Sequence, residues 1–128
     1  MHNDKRYMPL EIKQNEPLSK HTTFAIGGPA KYFAVAKTKK EVLEAISFAE
    51  NKKLPFFLLG GGSNILASDG GYDGLIIKIQ IGGVKVGQNT ITAGAGILLS
   101  QLVNESANHG LSGLEWAVGI PGTIGGAV

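Results

Sequence analysis

The chain has 128 residues, a length that suits one compact domain with a core of its own. Hydrophobic residues make up 43% of it, and a net charge of +2 is too small to indicate a nucleic-acid or membrane-surface partner. Without cysteine it forms neither disulfides nor thiolate metal sites. No apolar segment approaches the roughly 20 residues of a membrane span, and the polar start lacks the apolar stretch of a signal peptide, so we expect a cytoplasmic protein.

The N-terminal third of the sequence is predicted to contain a leader and the first strand of a domain. Residues 1–20 show no clear hydrophobic period and are expected to form a partly ordered leader, with the domain spanning residues 21–128. His21–Phe24 is β-prone, and the Gly-Gly-Pro triplet at residues 27–29 indicates a turn. Lys31–Ala36 alternates as a strand does.

The next segment has the signals of a helix between two strands. Thr38 and Glu41 have the spacing of a capping box, and Pro55 prevents the helix from continuing beyond about Lys53. An apolar stripe at helical spacing comprises Val42, Leu43, Ile46 and Ala49. Phe56–Leu59 is wholly apolar, which predicts a strand buried on both faces. Strand, helix and strand in this order indicate a parallel β-α-β unit.

The second half of the sequence repeats strand and helix signals. Leu75–Ile79 is predicted to be a buried strand, and Val84–Val86 and Thr90–Ala93 to be short strands flanking a turn. Ile97–His109 is predicted to be an amphipathic helix, with Gly110 in its C′ position. Its inward-facing residues are expected to be Leu98, Leu99, Leu102, Val103 and Ala107. The remaining tail is predicted to be loop with one helical turn.

Nineteen glycines are the main departure from average composition, and they cluster in three loops. The first loop is Gly60, Gly61, Gly62, Ser63 and Asn64, directly after an apolar strand. Its glycines allow positive φ and close approach, so successive N–H groups can form an anion-binding concavity that suits a pyrophosphate. It has neither the Walker nor the Rossmann pattern. An ordinary turn at the end of a strand remains the alternative.

Two further loops contain closely spaced glycines. The second is Ala93, Gly94, Ala95 and Gly96, where a ligand could lie near a helix N-terminus. As an isolated pattern it is a weak signal, and a tight turn from strand to helix is the favoured explanation. The third consists of Gly119, Ile120, Pro121, Gly122, Thr123, Ile124 and Gly125, followed by Gly126 and Ala127. Its proline and isoleucines indicate a shaped loop with apolar side chains for a flat ring, which is unlike a flexible linker.

Together with an N-terminal signature, these loops resemble the UDP-N-acetylenolpyruvoylglucosamine reductase (UDP-N-acetylmuramate dehydrogenase) family. The signature is Asn15-x-Pro17-Leu18-x-x-His21-Thr22-Thr23-Phe24-x-Ile26-Gly27-Gly28-Pro29-Ala30. The first and third loops resemble the family's two flavin loops. The resemblance begins at about Asn15, continues to Val128, and keeps the order and spacing of the motifs.

This resemblance implies an α+β FAD-binding domain of the vanillyl-alcohol-oxidase type, with two α+β subdomains, incomplete at the C-terminus. It implies that Gly60 to Asn64 hold the pyrophosphate of FAD, and that Ala93 to Gly96 and Gly119 to Gly125 lie along the rest. The implied reaction is NADPH-dependent reduction of UDP-N-acetylglucosamine enolpyruvate in cell-wall synthesis.

The resemblance leaves the catalytic residues outside this sequence. No residue matches the family's catalytic serine, glutamate or arginine, and the three histidines, His2, His21 and His109, lack metal-ligand spacing. Ser63 is interpreted as a phosphate donor, not a nucleophile. Two alternatives remain: a flavin-linked oxidase or dehydrogenase of another substrate on the same fold, and an inactive truncated fragment. Oligomeric state is not indicated.

Overall fold

A computed structural model describes residues 9–62 and 67–128 of the chain. Its strands are β1 (Ile12–Pro17), β2 (Pro29–Ala36), β3 (Phe56–Leu59), β4 (Tyr72–Ile79), β5 (Val84–Val86) and β6 (Ile91–Ala93). Its helices are α1 (Lys39–Asn51), α2 (Leu99–Asn108) and α3 (Ile124–Ala127), and short 3-10 turns lie at Leu18–His21 and Glu115–Ala117. The predictions for Ser63, Asn64 and His2 lie outside the described residues.

The larger unit is a four-stranded mixed sheet in the order β1-β2-β4-β3. Strands β2, β4 and β3 are parallel, and β1 runs antiparallel to β2. The predicted parallel arrangement of strand, helix and strand is confirmed, but β2 and β3 are not neighbours, because β4 pairs between them. All three parallel strands therefore end at the same edge of the sheet, where α/β proteins place their ligands.

The first helix begins and ends where the sequence indicates. The Thr38 side chain accepts a hydrogen bond of 3.1 Å from the Glu41 N–H, and the Glu41 carboxylate accepts one of 2.7 Å from the Lys37 N–H. Glu41 thus reaches one residue further back than in a standard capping box. The helix ends at Asn51, and Lys53 takes a positive φ of 57° before the chain turns towards Pro55.

The core has one layer on each face of this sheet. On one face, Leu75 and Ile77 of β4 pack with Ala34 and Ala36 of β2 beneath α1, which contributes two small side chains, Ala45 and Ala49. Small helix residues let α1 approach the sheet closely. The second layer consists of Leu18, Ala30, Phe33, Leu59 and Ile76.

Two sequence predictions for side-chain burial in this unit were wrong. Strand β3 is an edge strand, so Phe56, Phe57 and Leu58 are 40–50% exposed instead of buried on both faces. Leu43 of α1 is 58% exposed, because the helix turns its alanines to the sheet instead. An apolar run of four residues cannot show whether a strand will be central or at an edge.

Part of the predicted leader is ordered structure. Residues 12–17 form β1, which pairs with β2 from Ile12 opposite Ala34 to Pro17 opposite Pro29. Leu18 then enters the core. The strand has no apolar period because half of its side chains are exposed and none is fully buried, so no sequence signal marks it. The β-prone segment His21–Phe24 continues the turn and forms no strand.

The smaller unit consists of the β5-β6 hairpin and α2. The two strands pair antiparallel across the predicted turn, which Gly87 closes through a 2.8 Å hydrogen bond to Thr90. Helix α2 ends in a Schellman motif: Gly110 has a φ of 70°, and Leu111 donates to the Ser106 carbonyl. Two of its predicted inward-facing residues, Leu98 and Ala107, are exposed, and Ser106 is buried instead. No helix among the described residues is long and apolar enough to cross a membrane.

Replacing the helix-capping Thr38 with alanine is expected to lower the free energy of unfolding by about 1 kcal/mol, because the Glu41 N–H loses its acceptor at the exposed end of α1. Urea denaturation monitored by circular dichroism measures the loss. Thr38→Ser keeps the hydroxyl and is the matched control. Equal stability of the alanine and serine variants would contradict the capping role.

Candidate functional site

The first glycine loop begins at the carboxyl end of β3 and meets the third loop directly. A Cβ on Gly60 would lie 2.8 Å from the Thr123 hydroxyl and 3.2 Å from the Gly126 Cα. Thr123 is buried, and its hydroxyl also accepts a 3.2 Å hydrogen bond from the Gly126 N–H. The two loops are thus in contact through a position that only glycine can occupy without a shift.

The third loop is tied to the second loop and to the start of α2 by backbone hydrogen bonds. The Gly125 N–H donates to the Ala95 carbonyl at 2.9 Å, and the Ile124 N–H donates to the Ile97 carbonyl at 2.9 Å. The Leu99 N–H donates back to Gly122 at 2.9 Å. All three predicted loops therefore converge within the described residues, and the third loop is at the centre.

The second loop packs on the backbone that follows β4. The Gly96 N–H donates to the Ile81 carbonyl at 2.8 Å, and the Gly94 N–H donates to Gly83 at 2.9 Å. A Cβ on Gly96 would lie 2.6 Å from the Gln80 Cα, inside contact distance. These glycines serve a tight turn, as the alternative interpretation of the sequence held, and their two N–H groups are already paired.

The N-terminal turn, defined as residues 18–24, packs on the other side of the first loop. Gly62 has a φ of 76°, and its missing Cβ leaves the space taken by the His21 carbonyl oxygen and the Thr22 Cα. The Thr23 N–H donates to the Gly62 carbonyl at 3.0 Å. The motif on which the family resemblance rests thus contacts the loop predicted to bind pyrophosphate.

A half-buried polar cluster anchors the N-terminal turn. His21 Nε2 lies 2.8 Å from Glu16 Oε2, and His21 Nδ1 lies 3.3 Å from Lys78 Nζ. The imidazole stacks on Phe33 at 4.2 Å between ring centroids. The hydrogen bond with His21, aided by the charge of Lys13 and opposed by burial, holds the pKa of Glu16 below its usual value.

The converging loops present exposed backbone and no charged side chain. Gly61, Pro121, Gly125 and Gly126 are exposed, and the three loops contain no lysine, arginine, aspartate or glutamate. A long ligand can therefore lie against the main chain without displacing bulky side chains, as an extended dinucleotide requires. Among residues 9–62 and 67–128, no three His, Cys, Asp or Glu side chains are grouped to hold a metal ion.

Large apolar side chains flank the third loop and are exposed. Trp116 is 70% exposed and Val118 is 68% exposed. Ile120 is 41% exposed, so it is available to a flat ring, as predicted for this loop. Beside them, the Glu115 carboxylate accepts a 2.8 Å hydrogen bond from the Gly113 N–H.

A separate groove lies along β1 and the end of β2. Its volume is 370 Å³, and its lining includes Lys13, Phe33, Val35, Lys37 and Gln80. None of the three glycine loops contributes to it. The groove is therefore separate from the described residues of the glycine loops.

Comparison with known proteins shows the family to which the chain belongs. The model of the FAD binding domain family matches residues 30–128, which is most of the chain. The chain belongs to the FAD-binding domain family. The predicted cofactor, FAD, is confirmed as that of the family, and the α+β fold of the vanillyl-alcohol-oxidase type is also confirmed.

The most similar relatives share one name. The UDP-N-acetylenolpyruvoylglucosamine reductase of Lactobacillus acidophilus is 42% identical over 120 residues, which are 93% of this chain and 40% of the relative. That of Clostridium botulinum is 41% identical over 115 residues, 89% of this chain and 38% of the relative. The chain thus spans about two fifths of the length of these relatives.

A solved structure extends the similarity to the fold. The crystal structure of the reductase of that name from Thermus caldophilus aligns with a TM-score of 0.68 and 34% identity, covering 94% of this chain and 41% of that one. The resemblance stated from the sequence motifs is confirmed by these relatives.

Sequence reasoning found the three loops but missed the residues that hold them. Glu16 and Lys78 were not singled out, because an acidic and a basic residue far apart in sequence give no pattern. Gln80 and Ile81, the floor under the second loop, were likewise missed. The N-terminal motif was the available signal, since it marked His21 without showing what the ring contacts.

Replacing Gly96 with alanine is expected to lower the free energy of unfolding by about 1–3 kcal/mol, because the added methyl group meets the Gln80 backbone at 2.6 Å. Thermal and urea unfolding measure the loss. Gly82→Ala is the matched control, because a Cβ there meets nothing within 4 Å and φ is not positive. The packing role fails if both alanine variants unfold alike.

Stability is expected to fall in acid partly through Glu16. A lowered pKa in the folded state means that this carboxylate stabilises the fold above its ordinary value of 4.5, and that the contribution is lost as pH falls through the folded value. Urea titrations at a series of pH values should show a shallower acid loss for Glu16→Gln than for wild type. Glu50→Gln, on the exposed side of α1, is the control; an identical slope in Glu16→Gln and wild type would contradict the assignment.

Proposed function

We propose that this chain supplies the FAD-binding part of an FAD- and NADPH-dependent oxidoreductase that reduces UDP-N-acetylglucosamine enolpyruvate to UDP-N-acetylmuramate in peptidoglycan synthesis. The observation that carries the proposal is the convergence of three glycine loops, far apart in sequence, at the carboxyl edge of a parallel sheet. The identity with the named reductases supports the choice of substrate.

The proposed cofactor contacts follow the exposed backbone. The first loop, Gly60, Gly61, Gly62, Ser63 and Asn64, would hold the pyrophosphate, because backbone N–H groups supply positive dipoles in a loop that has no positively charged side chain. The third loop, Gly119 to Gly125, would lie along the rest of FAD, with Ile120 against its apolar part. Ala93, Gly94 and Gly96 would support that loop, since the Gly94 and Gly96 N–H groups are paired within the protein.

When bound, FAD supplies hydride transfer from NADPH to the enolpyruvyl double bond. The residues of this chain orient it and keep its long axis against the main chain. The proton that completes the reduction would come from the family's catalytic residues, and no residue of this sequence matches them. The substrate implies a small-molecule UDP-sugar partner, and a cytoplasmic location follows because UDP-sugars and NADPH are metabolites of that compartment.

Visible absorption of the purified protein, before and after addition of FAD and desalting, tests the cofactor assignment. A retained flavin band is expected, and Gly61→Val should remove it, because a side chain at this exposed position occupies the space against the first loop. Gly82→Val places the same side chain in open space and should keep the band. A Gly61→Val protein with full flavin content would contradict the pyrophosphate role.

Turnover by the full protein tests the substrate. Oxidation of NADPH is expected to depend on UDP-N-acetylglucosamine enolpyruvate and not on simple hydroxy acids. Turnover of a hydroxy acid without a response to the UDP-sugar would instead establish a flavin-linked dehydrogenase of another substrate on the same fold.

A further inference from the structure

The hydrogen bonds around His21 fix its proton. A lysine ammonium has only hydrogens to donate, so Nδ1, at 3.3 Å from Lys78 Nζ, must be the acceptor. The proton is then on Nε2, which donates to the Glu16 carboxylate at 2.8 Å. The neutral ring thus links an acidic residue of β1 to a basic residue of β4, two strands that do not pair with each other.

The same ring is attached to the first glycine loop through its own backbone. The His21 carbonyl and the Thr22 Cα fill the space above Gly62, and the Thr23 N–H donates to the Gly62 carbonyl. Lys78, at the other end of the cluster, lies opposite Leu59 in the register of β3 and β4, one residue before the loop starts. The cluster therefore holds the first loop at both its beginning and its glycine with positive φ.

The backbone after the ring has little other support. Thr23, Phe24, Ala25 and Ile26 are exposed, and Ala25 has a positive φ of 56°. Leu18 anchors the start of the turn in the core, but core packing does not fix Thr23 to Ile26. The position of the end of the turn against Gly62 therefore depends on the side chain of His21, which is held by Glu16, Lys78 and the stack on Phe33.

We propose that His21 is a positioning residue that preorganises the described part of the first glycine loop, Gly60 to Gly62, for the pyrophosphate of FAD, with Glu16 and Lys78 as its two anchors. The inference rests on the proposed function of that loop. A loop that reaches its binding conformation for only a fraction of the time binds with an affinity reduced by that fraction. Release of the ring would thus weaken FAD binding through the position of the loop.

Fluorescence titration of the full apoprotein with FAD, together with its unfolding temperature, tests this role. His21→Phe keeps the stack on Phe33 and loses both hydrogen bonds; it is expected to raise the Kd for FAD about tenfold, the size of a small number of net hydrogen bonds. His21→Gln keeps one donor and one acceptor and should restore the affinity to within about twofold. His109→Phe, at the exposed end of α2, is the control and should leave the Kd unchanged.

A double-mutant cycle separates this role from a direct contact of Lys78 with phosphate. Lys78→Met should weaken binding less than His21→Phe, and the double variant should bind like His21→Phe alone, because both changes release one ring. If His21→Phe unfolds at a lower temperature than wild type, the non-additivity of the Kd values in this cycle still tests the positioning role. Three results would overturn the proposal. The first is a double variant whose Kd for FAD rises by the product of the two single effects. The others are an unchanged Kd in His21→Phe and a Kd in His21→Gln as high as in His21→Phe. A wild-type protein that binds no FAD would instead contradict the proposed function itself.

Discussion

The site depends on the central position of β4 in the parallel sheet. Because β4 pairs with β2 on one side and with β3 on the other, the chain leaves all three strands at one edge. The first glycine loop follows β3, and the backbone after β4, Gln80 and Ile81, forms the floor for the second loop. The third loop then docks on both. One strand thus places three sequence-distant segments against each other.

Backbone meeting backbone is the second constraint, and it explains the glycine content better than ligand binding alone. At Gly60, Gly96 and Gly125 a methyl group would meet atoms of a neighbouring segment at 2.9 Å or less. These contacts are intramolecular. The same loops contain two kinds of glycine. Some let neighbouring segments pack closely, and others, such as Gly61 and Gly126, leave the backbone exposed and accessible to a ligand. The described glycines of these loops therefore serve both close packing and backbone exposure.

The sequence predicted the elements well where local chemistry decides them. The Thr38 cap, the Gly110 helix end and the hairpin turn at Gly87 to Thr90 all follow from short-range rules, and the structure has them. Properties set by tertiary context were missed. The apolar run that includes Phe56, Phe57 and Leu58 has the composition typical of a central strand, but β4 lies at the centre of the sheet and β3 lies at its edge. Strand β1 gave no signal, because an exposed strand that pairs on one side needs no apolar face.

The site was predicted as three separate loops, and only the fold shows that they touch. Glycine patterns reveal where a backbone can approach something but not what it approaches, so Gly94 and Gly96 were candidates for ligand contact although they pack on Ile81 and Gln80. The charged partners of His21 were beyond sequence reasoning for a similar reason. Glu16 and Lys78 become neighbours only once β1 and β4 occupy the same sheet.

Strand β4 lies between β2 and β3, although both of these strands are synthesised before it, and this order has a consequence for synthesis on the ribosome. Strands β1 and β2 and helix α1 emerge first, and β3 follows without an adjacent strand to pair with, since its partner is made later. At bacterial translation rates this interval lasts on the order of seconds. During it the apolar faces of β2 and β3 have no completed sheet to bury them. A nascent chain of this topology thus keeps apolar strand surface exposed until Ile79 has left the exit tunnel, and slower synthesis between β3 and β4 would prolong that exposure.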